Sequence, residues 1–314
     1  MIVRTGTFNN SQTMINQIMQ NQNRLQELQQ QISTGNKINN IYDSPIDNSA
    51  VISLNSQLAK IESYFSTIDT TKNQLNVQDS TFSTVIDKLQ RINELTVLAA
   101  NGASGTTGRD AAKDEINQLI NSVIDLANTQ YDNQYIFSGA KIETPAYSMD
   151  ENGNITYNGT PSTDPTYQRK VEISDGIKIT VNAAGDTVFG SYSYDEATDT
   201  STGEGLFKTL GDLSRLLEQD PPDYDAIRGQ LEGIQNGIDH VAEVQSVYST
   251  YVARLDMTKS TLEEIEISAT EQKANIVELD IPSAISELIN QNYAYQASMQ
   301  TFSMLSNNSL LNYM

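Results

Sequence analysis

The positions Met14, Ile18, Asn21, Leu25, Leu28 and Ile32 recur at alternating steps of four and three, the spacing that turns one side of a helix toward a partner helix. Near the other end, Ile281, Ile285, Leu288, Asn292, Tyr295, Met299 and Phe302 keep the same rhythm, followed by Leu305, Leu310 and Leu311. Each ridge carries one Asn among apolar residues, and a buried Asn costs stability while fixing register. Two such ridges predict one antiparallel coiled coil built from both termini, with everything between them thrown out as a loop. The flanking faces carry Gln, Asn and Ser rather than Lys and Glu, so charged flanking pairs do not select the partner. On periodicity alone the ridges serve equally well as private core. Apolar groups at the very end of the chain, where residues are usually polar and frayed, point instead to contacts with neighbours. The ridge residues from Met14 to Ile32 and from Ile285 to Leu311 are therefore the candidate assembly interface.

Between the ridges the pattern stays helical for long stretches. Gly35 suits a left-handed cap, and Ser44-Pro45 with Asp47 three residues on from Ser44 reads as the start of a second helix. From there Val51, Leu54, Leu58, Ile61, Phe65, Ile68, Leu75, Phe82, Ile86 and Leu89 carry a helix of about fifty residues, far above the globular mean. Three glycines, Gly102, Gly105 and Gly108, break it. No Gly-Lys-Ser/Thr follows and no strand precedes, so this is a turn and not a phosphate cradle. A return helix with Ala112, Ile116, Leu119, Val123 and Leu126 on one stripe is expected to run to about Phe137.

At Gly139 the period changes to two. Asn152-Gly153 and Asp175-Gly176 each sit between alternating stretches and read as hairpins. Helix resumes at Leu206, pauses at Asp220-Pro221-Pro222-Asp223, and continues through Ile227, Leu231, Ile234, Ile238, Val241, Tyr248, Val252, Leu255 and Leu262. Pro282 marks a joint before the last ridge. The expected fold is mainly α: a long antiparallel helical bundle and coiled coil formed by the terminal segments, with a small β-rich outer domain inserted in the middle. Its expected parts are 1–44 with 278–314, 45–138 with 204–277, and 139–203.

Chemistry has little to stand on. The 314 residues contain no Cys, which excludes disulfides, thiolate nucleophiles and sulfur-ligated metals. His240 is the only histidine and has no second ligand at i+4. The segment from Asp150 to Asn154 lacks the glycine and bidentate glutamate of a calcium loop, so it reads as a turn. The motifs Asn154-Ile155-Thr156 and Asn158-Gly159-Thr160 match a glycosylation pattern that means little without a secretory signal. No catalytic, cofactor-binding or metal residue is expected, and the chain is not expected to be an enzyme. Forty acidic against 19 basic residues give a formal charge of -21, which disfavours nucleic acid and anionic membranes. Neither a cleavable signal nor a membrane span is expected.

The residues at both ends resemble the flagellin family of bacterial axial proteins. Gln31-Ile32-Ser33-Thr34-Gly35-Asn36-Lys37-Ile38-Asn39, followed by Asp43-Ser44-Pro45, is similar to the family's N-terminal motif. Asp280-Ile281-Pro282-Ser283-Ala284-Ile285, Tyr295-Gln296-Ala297-Ser298 and the closing Ser309-Leu310-Leu311-Asn312-Tyr313-Met314 are similar to its C-terminal motif. In the middle, the segment from Asn128 to Gly139, with Val181-Asn182-Ala183-Ala184-Gly185-Asp186-Thr187-Val188-Phe189 and the closing Thr301-Phe302-Ser303-Met304-Leu305-Ser306, resembles the branch that joins hook to filament. Pro282, and Val247-Tyr248-Ser249-Thr250-Tyr251, depart from the family pattern and put the helix geometry there in question. The resemblance implies an extracellular structural subunit of the flagellum, exported unfolded through the type III route without a cleaved signal peptide. It also implies terminal segments that order on assembly, a homo-oligomeric ring in the axial structure, hook-side and filament-side hook-associated proteins as partners, and an export chaperone. The alternatives are a minor flagellin of the filament and a secreted hydrolase on a flagellin scaffold.

Overall fold

The computed structural model describes residues 2–40, 42–101, 105–150 and 152–311, with side chains over 12–40, 42–101, 108–150 and 152–304. The first helix, α1 (Ile2–Thr34), ends at Gly35, whose φ of +72° is the left-handed cap expected there. The Gly35 amide closes the last turn onto the Gln31 carbonyl at 2.8 Å. In the connector the Asp43 carboxylate accepts from the Asn39 and Asn40 amides, and the Ser44 hydroxyl donates to Asp47 at 2.7 Å. The second helix, α2 (Pro45–Ala99), then starts at the proline, where a missing N–H costs nothing. Its heptad ridge is buried at Ile61, Ile68, Leu75, Phe82 and Leu89.

The next helix, α3 (Gly105–Ala127), stops ten residues short of Phe137, the expected end. The segment that follows is a hairpin of β1 (Gln130–Tyr131) and β2 (Gln134–Tyr135), turned by Asp132 and Asn133 at φ of 51° and 58°. Two consecutive left-handed residues make the mirror-image turn that matches strand twist, and Asp-Asn tolerates it nearly as well as Asn-Gly. The turn expected at Gly102 lies outside the described residues, while Gly105 already opens α3.

Both expected hairpins are present. The first, β3 (Tyr147–Met149) and β4 (Ile155–Tyr157), pairs Tyr147 with Tyr157 around Gly153 at φ +79°. The second, β5 (Lys170–Ser174) and β6 (Ile177–Thr180), turns at Gly176. A third, β7 (Ser191–Asp195) and β8 (Thr200–Glu204), completes a four-stranded antiparallel sheet of order β3-β4-β7-β8. A short turn of helix, α4 (Gly185–Val188), precedes Gly190, where φ is +75° and a Cβ would overlap the Glu204 carbonyl. Only glycine fits there. Helix α5 (Gly205–Glu218) follows, then α6 (Tyr224–Val277), which runs unbroken through Val247 and Tyr251, and finally α7 (Ile281–Leu311), with Pro282 in its first turn.

The chain divides into two compact units, 1–60 with 263–314, and 61–262. The larger unit has one continuous apolar core in which strands and helices share aromatic side chains. Phe137 lies 5.5 Å from Phe82 of α2 and 5.3 Å edge-on from Phe189; Tyr147 of β3 lies 4.8 Å from Phe207 of α5. Buried Gln74 and Gln78 both donate to the Val181 carbonyl, at 2.9 and 3.1 Å, fixing α2 to the β-rich segment through a backbone group that would otherwise be unpaired. The burial of Tyr147, Tyr157 and Tyr248 raises their phenol pKa values, so each remains a neutral phenol.

The β7–β8 turn carries a charged network. The Tyr194 hydroxyl donates to Asp199 at 2.6 Å, and Arg215 reaches Asp199 at 2.8 Å while lying 4.3 Å over the Tyr194 ring. The Tyr194 hydrogen bond first, and Arg215 second, hold the Asp199 carboxyl below its ordinary range. A carboxyl depressed on folding contributes stability above its unfolded pKa of about 3.9 and loses that contribution as pH falls through the folded value. The turn is therefore expected to open below about pH 4, read as faster amide exchange at 195–200 after correction for intrinsic rates. Asp199→Asn should abolish that response, and an unchanged response in this variant would rule out Asp199 as its source.

Candidate assembly surface

In the smaller unit α1 and α7 pair antiparallel. Asn21 donates from Nδ2 to Ser298 Oγ at 3.2 Å and accepts from Gln291 Nε2 at 3.1 Å, whereas Arg24, one turn on, bonds Glu287 at 2.7 Å. Advancing along α1 thus retreats along α7. The Asn21 amide uses both its donor and its acceptor across the seam, which favours one register over neighbouring ones. Arg24 also pairs with Glu27 at 2.9 Å, and the Glu287 hydrogen bond is the main cause of its raised pKa. These groups are partly exposed, so the pair orients more than it stabilises.

A backbone clasp closes the far end of this pair. The Lys37 amide donates to the Val277 carbonyl at 2.7 Å and the Leu279 amide to the Gly35 carbonyl at 3.0 Å, with Asn36 bridging Glu278 in antiparallel register. Buried Gln31 adds a side-chain bond to the Lys37 carbonyl at 2.8 Å. The family-like connector after Ser33-Thr34 is therefore one strand of a two-strand clasp whose other strand is the α6–α7 joint.

The expected ridge on α1 is the one that is buried. Leu25 and Leu28 are buried, and Met14, Ile18, Asn21 and Ile32 are half-buried while the positions between Asn21 and Leu28 other than Arg24 and Leu25 face solvent. On α7 the expected ridge is rotated. Leu288, Tyr295 and Phe302 lie on the half-buried side, but Ile285 and Met299 are 43% and 45% exposed and Asn292 is exposed too. Ala284, Gln291 and Ser298 take their places in the seam. Sequence reasoning missed them because small and amide residues do not stand out in an apolar count, although they keep the same heptad spacing. The side chains of Leu305, Leu310 and Leu311 lie outside the described residues.

Rotation of the ridge leaves α7 with a second apolar face. Ile281, Ile285, Ile289, Tyr293 and Met299 follow one another along the helix at 43 to 67% exposure. The steps of four from Ile281 to Tyr293 were the available signal for Ile289 and Tyr293. Isolated exposed apolar residues are ordinary, whereas a row of them beside a helix seam is a candidate interaction surface. The outer face of α1, by contrast, is lined by Gln17, Gln20, Gln22, Gln26 and Gln29 and exposes Met19.

Elsewhere the candidate reactive groups are engaged in structure. His240 Nε2 lies 2.7 Å from the Thr187 carbonyl, a strut between α6 and α4. Asp150 accepts from the Asn152 and Asn154 amides and from Asn154 Nδ2, as a turn residue does, and those bonds lower its carboxyl pKa. Among the described residues no group of three or more His, Cys, Asp or Glu is placed to hold a metal ion. No helix among them is long and apolar enough to cross a membrane.

Comparison with known proteins gives a consistent result. Residues 6–142 match the bacterial flagellin N-terminal helical region. The flagellar hook-associated protein 3 of Escherichia coli K12 is 25% identical over 293 residues, 90% of each chain. That of Salmonella typhimurium LT2 is 23% identical over 296 residues, 90% of this chain and 91% of its own. A solved flagellar hook-associated protein of Vibrio parahaemolyticus superposes with a TM-score of 0.65 at 18% identity, over 75% of this chain and all of that one.

Proposed function

The chain belongs to the flagellin family of bacterial axial proteins, and from that premise we propose that it is the structural subunit joining the flagellar hook to the filament. Support comes from alignment with two hook-associated 3 proteins along nine-tenths of the chain. The observation that carries the role is the uncovered apolar row on α7 beside a seam already filled by α1. In this reading residues 1–44 with 278–314 form the assembly part, 45–138 with 204–277 the supporting bundle, and 139–203 the outer part. Within the interface, the α1 ridge with Leu288, Tyr295 and Phe302 forms the seam inside one chain, Ile285, Asn292 and Met299 together with Ile281, Ile289 and Tyr293 meet the neighbouring copy, and Leu305, Leu310 and Leu311 extend that contact. Copies form a ring in the axial structure, between a hook-side and a filament-side hook-associated protein. An export chaperone delivers the chain unfolded, outside the cell, and the burial gained on assembly offsets the entropy of ordering its ends. The role is structural, not catalytic.

A strain lacking the gene tests this directly. Hooks should be complete, motility absent, and filament protein shed as monomer into the medium; the intact chain should restore filaments. Shortened or missing filaments without shed monomer would assign the chain to the filament itself and overturn the junction role.

A further inference from the structure

The sheet β3-β4-β7-β8 has β3 at one edge, and β3 has an unusual neighbour. Asn128, the residue after α3, donates from Nδ2 to the Tyr147 carbonyl at 2.9 Å and accepts the Tyr147 amide on Oδ1 at 2.8 Å. A single primary amide thereby reproduces the pair of bonds that an adjoining antiparallel strand would make to one residue. The alternation along β3 shows that these are its outward groups: the Ala146 carbonyl is taken by the Asn158 amide on the β4 side, and the Asp150 amide by the Asn154 carbonyl. Of the three β3 residues, Tyr147 and Met149 point their backbone groups away from β4, and Asn128 consumes those of Tyr147.

The clamp is fixed in advance. The Asn128 amide still bonds the Ile124 carbonyl at 3.1 Å, and Thr129 Oγ1 bonds the Leu126 carbonyl at 2.7 Å, so the side chain projects from the last turn of α3. Its target, Tyr147, is buried, packs against Tyr157, Phe189 and Phe207, and bonds the Gly190 carbonyl through its hydroxyl at 3.0 Å. The edge that Asn128 covers is thus anchored in the core, and an edge so fixed, if open, is a template for another strand.

We propose that Asn128 acts as a surrogate edge strand: it sets the sheet against α3 and keeps β3 closed to the β3 of a second copy. Without it, the outward groups of Tyr147 and Met149 form a continuous edge whose antiparallel pairing with itself satisfies both chains.

The test uses the full-length free protein. In Asn128→Ala, the Tyr147 amide should lose at least tenfold of its exchange protection by NMR, and sedimentation should show a concentration-dependent dimer absent from the wild type. Adding Met149→Pro removes one outward N–H at an edge position that tolerates proline, and should return the protein to monomer. Unchanged Tyr147 protection, loss of protection without association, or a dimer that survives Met149→Pro would each overturn the proposal. Cooperative thermal unfolding of each variant verifies that the fold is retained, and Asn128→Asp, which keeps only the acceptor, should stay protected at the Tyr147 amide if the unfolding of Asn128→Ala is not cooperative.

Discussion

Replacing Ile285 and Met299 together by glutamate is expected to abolish incorporation into the flagellum while leaving the free subunit folded. Both side chains are more than two-fifths exposed in the single chain, so neither leaves a cavity when changed, and exposed substitutions usually move stability by under about 0.5 kcal/mol. In an assembly that covers this face the ledger differs. Burying each apolar side chain is worth about 1.5–3 kcal/mol, and a buried carboxylate without a partner costs more than that. Two such changes in every copy should lower incorporation by at least about a hundredfold, since each 1.4 kcal/mol is a factor of ten. Leu28→Glu is the contrasting variant: Leu28 is 1% exposed in the α1–α7 seam, so its loss should block incorporation by breaking the pairing of the chain's own two ends, which the double glutamate variant leaves intact. If the double glutamate variant supports filaments as the wild type does, α7's outer face is not an assembly surface.

The second large effect concerns the larger unit. Phe137→Ala should destabilise it by about 3–5 kcal/mol, the range for a fully buried phenylalanine. Its ring joins Phe82 of α2 to Phe189 beside the sheet, so the cost should fall on helices and strands together. Urea denaturation followed by far-ultraviolet circular dichroism and by tyrosine fluorescence should show one shared transition, shifted to lower midpoint. A double-mutant cycle with Phe82→Ala should give a coupling of about 0.5–1.5 kcal/mol for the aromatic pair. Two separate transitions, with only the tyrosine signal shifted, would mean that 139–203 folds independently of the bundle.

Much of this architecture could be read along the chain because heptad spacing and turn residues act locally. Leu25, Leu28, Ile61, Ile68, Leu75 and Phe82 are buried as their spacing requires, and Asn152-Gly153 and Asp175-Gly176 turn their hairpins. What failed was orientation where two faces are both apolar. On α7 the larger residues Ile285 and Met299 drew the ridge toward themselves, whereas close pairing with α1 is served by Ala284 and by the amide and hydroxyl of Gln291 and Ser298. The early end of α3 was hidden for a different reason: Tyr131, Tyr135 and Phe137 continue a helix-like apolar rhythm, and only the paired left-handed residues Asp132 and Asn133 betray the hairpin. The aromatic core and the Asn128 clamp join residues far apart in the chain, and no local pattern encodes them.

The bond between Asn21 and Gln291 spans 270 positions of the chain. Closing so large a loop from a random coil costs on the order of 5 kcal/mol in chain entropy before any seam contact repays it. The seam is thus the slowest contact for this polypeptide to find, and residues 61–262 can reach their final packing first and shorten the search. Timing therefore favours a chain whose two ends are still available when its middle is finished, so that the terminal helices are the last part of it to pair.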